Sequence, residues 1–151
     1  MERNKSLYFH MEMGMLISSA HRSMTRRFVQ NAYKSGLDIS LDQWMVLGPI
    51  WYLKNPSQKE LSEFCLKDKT SITRIISTLE KKKIVVRIAD QIDKRMKRVF
   101  LTHQGRELFN HVLPIMEQTR EEVKEGLTAS DINTFKKVLI QINNNMEVNN
   151  G

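Results

Sequence analysis

Apolar residues recur at helical spacing along most of the chain and switch once to strand spacing. From residue 7 to 33, Phe9, Met13, Leu16, Ile17, Ala20, Met24 and Phe28 fall at three- and four-residue steps, which predicts one long amphipathic helix. Gly36 is placed to end it, since glycine accepts the left-handed conformation that closes helices. SLDQ at 40–43 and SQKE at 57–60 are capping-box patterns. The first opens a helix with Trp44, Leu47, Ile50 and Trp51 on its apolar face, broken by Asn55-Pro56. The second opens a short helix over about 58–65, with Leu61, Phe64 and Cys65 inward. Asp68 is placed to cap a helix over about 69–82. IVVRIAD at 84–90 is β-branched, and KRVFLT at 97–102 alternates, so two strands should flank the loop between them. Thr102 then caps a helix containing Pro114, expected to kink there, and Thr128 to Asp131 open a last helix.

The order is α-α-α-α-β-β-α-α, mainly helical with a small β-hairpin. Two short helices joined by a few residues and followed at once by a hairpin form the layout of a winged helix-turn-helix, here over residues 36–102.

Charge sharpens that picture. Residues 67–100 hold 11 basic and 4 acidic side chains, while the segments before and after carry net charges of +2 and −2 and cancel. So local an excess favours a polyanion, nucleic acid before an anionic membrane, although a solvated surface has the same signature. The 69–83 helix adds detail. Ile72, Ile75, Ile76 and Leu79 share one face, and Thr70, Arg74, Ser77 and Lys81 the other, with Ser71 and Thr73 on the flanks. Short hydroxyls let a helix sink into a groove, and arginine can make two hydrogen bonds to guanine. An ordinary amphipathic surface helix more often shows Glu and Lys outside. Lys81, Lys82 and Lys83 suit the helix dipole in any case, so they indicate no more than phosphate attraction.

DKRMKRVFLTHQG at 93–105 carries the most specific signal. Asp93, Arg95, Val99, Leu101, Thr102 and Gly105 fill every fixed position of the wing pattern D-x-R-x-x-x-V-x-L-T-x-x-G, and the chain resembles the MarR (multiple antibiotic resistance regulator) family. Residues 68–87 resemble that family's recognition helix and first wing strand, and 36–47 its second-helix entry. Lys83 departs from the pattern, where glycine commonly follows the helix. The resemblance implies one chain dimerising through its terminal helices, residues 7–33 and 103–146. It implies a ligand-responsive repressor that binds a pseudo-palindromic duplex operator as a homodimer. In that family the wing arginine enters the minor groove and the wing aspartate steadies the loop, roles that fall on Arg95 and Asp93. Thr70, Ser71, Thr73, Arg74 and Ser77 would face the major groove, and Lys94, Lys97 and Arg98 the phosphates.

The resemblance also implies a small phenolic or anionic lipophilic effector, held between the dimer and DNA-binding parts. His10, Met13, His21, Trp44 and Trp51 are candidates to line its pocket, although methionine-rich helices are as readily adaptable core. No phosphate-cradling glycine loop or H-E-x-x-H is present, and the four histidines lack ligand spacing, so no enzyme, cofactor or metal is expected. A single cysteine, Cys65, excludes an intramolecular disulfide and reads as a structural thiol before a redox switch. Glu12 and His10 interrupt the first apolar stretch, which argues for a helix rather than a secretion signal, so the cytoplasm is expected. Two other classes stay open: a winged helix that contacts an acidic protein, and a small-molecule-sensing module without specific DNA binding.

Overall fold

A computed structural model describes residues 12–147. The elements are α1 (Met13–Lys34), α2 (Leu41–Tyr52), α3 (Gln58–Cys65), α4 (Lys69–Lys81), β1 (Val85–Ala89), β2 (Lys97–Leu101), α5 (His103–Lys124) and α6 (Ala129–Glu147). No described helix is long and apolar enough to cross a membrane.

The helix ends follow from local hydrogen bonds. Ser40 accepts from the Gln43 N–H while the Gln43 side chain accepts from the Ser40 N–H, and Ser57 and Glu60 repeat the exchange. Each pair satisfies two donors that a helix start leaves unpaired. Asp68 caps α4 through the Ser71 N–H, Thr102 caps α5 through that of Gly105, and Thr128 and Asp131 cap α6 reciprocally. Gly36, at φ +72°, closes α1, with the Leu37 N–H reaching back to the Ala32 carbonyl. Helix α5 is continuous through Pro114.

The same closure ends α4 without a glycine. The Lys83 N–H donates to Glu80 O and the Ile84 N–H to Leu79 O, and Lys83 sits at φ +59°. Ile84 therefore serves the helix, which is why β1 begins one residue later than the apolar run suggests. The left-handed conformation crowds a Cβ against backbone, a strain glycine avoids. Lys83→Gly is accordingly expected to raise stability by roughly 0.5–1 kcal/mol, read as a higher urea midpoint at unchanged slope.

One core unites α1 to α5 and the hairpin. Leu47, Leu61, Ile72, Ile76, Leu79, Val99 and Val112 are fully or almost fully buried, and Phe109 inserts among aromatic rings from α2. Trp44 and Trp51 stack on it at centroid distances of 5.2 and 4.7 Å, and Tyr52 meets its edge at 6.3 Å. Asn31 on α1, itself buried, donates to Thr119 and Glu122 on α5, and Arg27 pairs with Glu122 at 3.2 Å. The α1 end near Met13, Leu16 and Ile17 and the α6 face of Phe135, Val138 and Ile142 line a shared apolar trough of about 430 Å³. No residue of α6 up to Met146 is buried, and Phe135, Val138, Ile140 and Met146 are exposed.

Candidate nucleic-acid interface

Helix α4 buries Ile72, Ile75, Ile76 and Leu79, the stripe legible at 100° per residue, and turns the opposite side outward. Thr70 and Arg74 are exposed, and the Arg74 guanidinium has no partner among the described residues. The other hydroxyls on this helix already hold bonds. Ser71 Oγ donates to the capping carboxylate of Asp68 at 2.6 Å. Thr73 Oγ1 donates to the Lys69 carbonyl and accepts from Gln58 of α3 at 3.0 Å, tying the two helices. Ser77 accepts from Arg87 at 3.3 Å.

The wing is an antiparallel hairpin in which Val85 pairs with Leu101, Arg87 with Val99 and Ala89 with Lys97. Three attachments fix it to the helices. On the first strand, Arg87 is gripped by Glu80 of α4 through its side chain and backbone N–H. The Arg87 hydrogen bond and charge hold the Glu80 carboxyl below its usual range, with Lys97 adding a smaller pull. On the return strand, Val99 donates to the Pro56 carbonyl, and Arg98 spans from Asp90 to the Asn55 carbonyl, with Glu60 at 3.7 Å. At the exit, Thr102 N–H and Oγ1 both reach the Ile84 carbonyl, and Oγ1 also donates to Lys83 O. The strand thus enters α5 with no slack.

Asp90, which residue counting passed over, organises the wing loop. Its carboxylate accepts from Arg98 and from the N–H groups of Ile92 and Asp93. Arg98 chiefly, then those two N–H groups, hold its pKa down at about 2. Asp93 accepts from the Arg95 N–H at 3.0 Å, a local brace at the position expected to steady the loop. Since the folded pKa of Asp90 lies below its unfolded value, the anchor is complete above about pH 4 and is lost as pH falls through about 2. Protection of the residue 90–96 amides, taken relative to intrinsic exchange at each pH, should therefore fall in wild type as pH drops through about 2. In Asp90→Asn that protection should already be low at neutral pH, whereas identical protection in both proteins would remove Asp90 from this role.

Lys94, Arg95 and Lys97 are exposed, and Lys94 and Arg95 have no acidic partner among the described residues. Lys82 instead pairs with Asp38 at 3.3 Å. The candidate effector residues fall in different places within one chain. Trp44 and Trp51 bracket Phe109 but line separate hollows of about 340 and 420 Å³. Met13 lines the trough against α6, and His21 is exposed on α1. His10 lies outside the described residues. Cys65 is buried and donates to the Met45 carbonyl; burial pushes its thiol pKa up, with Lys67 opposing, as suits a structural thiol.

This architecture has known counterparts. Residues 39–97, from the α2 entry to the start of β2, match the family model described as MarR family. The chain is 24% identical over 119 residues to YybA, an HTH-type transcriptional regulator of Bacillus subtilis (strain 168), covering 79% of each protein. A cysteine-to-serine mutant of MarR from E. coli, solved in complex with operator DNA, superposes with a TM-score of 0.77 at 27% identity, over 86% of this chain and 92% of that one. BpsR of Bordetella bronchiseptica, whose DNA binding is regulated by 6-hydroxynicotinic acid, shares the fold with a TM-score of 0.75 at 22% identity, over 86% and 97%. A helix-turn-helix with a braced basic wing, the family match over residues 39–97 and these likenesses agree: the chain is similar to the MarR family of winged helix-turn-helix transcription regulators.

Proposed function

We infer that two copies of this chain bind a pseudo-palindromic duplex operator and repress transcription until a small effector releases them. The observation that carries this reading is the pairing of an exposed Arg74 on α4, without a partner among the described residues, with an exposed Arg95 on a wing that Glu80 and Arg87 pin to the same helix. Thr70 and Arg74 meet major-groove base edges, Arg95 enters the minor groove, and Lys94 and Lys97 meet phosphates. Ser71, Thr73, Ser77 and Arg98, which hold internal bonds, orient these groups and add backbone contacts. The operator complex of the E. coli MarR mutant supports duplex DNA as the partner.

Dimerisation through residues 7–33 and 103–146 is supported by the large apolar side chains that α1 and α6 leave exposed. The clamp of Thr102 on Ile84 then links wing position to dimer geometry, so an effector that shifts the dimer lowers DNA affinity, and DNA lowers effector affinity by the same factor. The aromatic cluster of Trp44, Trp51 and Phe109 favours an aromatic or anionic lipophilic effector. The reading involves no catalytic step or cofactor and places the protein in the cytoplasm with the chromosome.

Selection from random duplex DNA tests it. An inverted repeat with half-sites about 10 bp apart is expected; enrichment of no sequence would overturn the operator reading. With the operator in hand, Lys97→Ala should weaken all duplexes alike and reduce the slope of log affinity against log salt by about 1.

A further inference from the structure

The most exposed large apolar side chain among the described residues sits in the most basic segment of the chain. Ile92, at the wing tip, is 97% exposed, although Lys94 and Arg95 follow within three residues. It is also held still. Its N–H is fixed on Asp90 Oδ1 at 2.8 Å, and the loop is closed by Asp90 N–H to Met96 O and Met96 N–H to Asp93 O, both at 2.9 Å. A bare isoleucine on a braced tip stays hydrated only until something covers it, and the neighbouring cations select a polyanion as the cover.

Resting on the operator reading above, we propose that Ile92 is a specificity residue that packs against the minor-groove floor and rejects G·C pairs beneath the wing. Arginine in a narrow minor groove senses its negative potential. A branched aliphatic chain adds a steric criterion. A·T and T·A pairs present only acceptors and a flat edge there, whereas guanine projects its 2-amino group into the groove. Minor-groove proteins do place apolar side chains in this groove, isoleucine among them, there as wedges between base steps. Ile92 can neither accept a hydrogen bond from that amino group nor move away, because Asp90 and Arg98 hold its backbone.

The test isolates the amino group. Once an operator is selected, the pairs under each wing are located by minor-groove footprinting, and their adenines are replaced by 2,6-diaminopurine. That base adds the guanine-like 2-amino group and leaves the major-groove edge unchanged. Wild type should lose about tenfold in affinity and Ile92→Ala no more than about twofold, the difference being the coupling between the isoleucine and the amino group. Since the Ile92 side chain is almost wholly exposed, the variant keeps the fold. Equal losses in both proteins would assign the penalty to Arg95 and groove width, and would overturn the proposal, as would no loss in either. Failure to select any duplex would instead overturn operator recognition itself, and this inference with it.

Discussion

Gly105→Ala will destabilise the protein by about 3 kcal/mol or more, despite replacing glycine by the best helix former in the first turn of α5. A Cβ at this position would lie 2.0 Å from the Ile84 carbonyl oxygen, 3.1 Å from its carbon and 3.3 Å from Leu101 Cδ2. The obstacle is backbone, and that backbone is itself held, since the Ile84 carbonyl accepts from both Thr102 N–H and Thr102 Oγ1. Relief requires α5 to lift off the wing base, which opens the junction between this helix and the hairpin. Chemical unfolding measures the loss, and DNA affinity should fall with it. Gly48→Ala in α2 is the control, because a Cβ there meets nothing within 4 Å. It should be neutral or slightly stabilising. A Gly105→Ala protein as stable as wild type would mean that the helix does not pack this closely on Ile84.

Arg74→Ala is expected to cost roughly 1–3 kcal/mol of operator binding and to relax specificity at one base pair in each half-site. The guanidinium makes no internal bond with any described residue, so its removal should leave folding untouched. Competition binding against operators varied one pair at a time separates two roles. A loss confined to operators with the preferred base identifies base reading. A uniform loss across all sequences would reassign Arg74 to phosphate. Arg74→Lys sharpens the distinction, since it keeps the charge but not the planar fork that grips guanine at two points.

The helix boundaries were legible because their determinants are short-range. Ser40 with Gln43, Ser57 with Glu60 and Thr128 with Asp131 exchange hydrogen bonds three residues apart, Thr102 accepts one from the Gly105 N–H, and Ile72, Ile75, Ile76 and Leu79 repeat at the helical period. The wing was legible for a related reason: alternation over five residues specifies a strand, and a break between two such runs specifies a hairpin. Local charge density likewise located the candidate interface.

What residue counting could not do was tell a cation that waits for a ligand from one already in use. Arg74, Arg87, Arg95 and Arg98 look alike in the chain. Only the fold brings Glu80 onto Arg87 and sets Arg98 between Asp90 and the Asn55 carbonyl, 43 residues away in sequence. Asp90 gave no local sign of its part, because the partner that sets its pKa lies across the hairpin. The Asn31 link to Thr119 spans 88 residues and was equally invisible. The sequence by itself therefore determined the order of elements, their caps, the apolar stripe of α4 and the basic hairpin, all encoded by neighbours within a few residues. The tertiary structure decided which basic groups remain available to a partner, because a charge is satisfied by what lies beside it in space, and chain separation sets no limit on that.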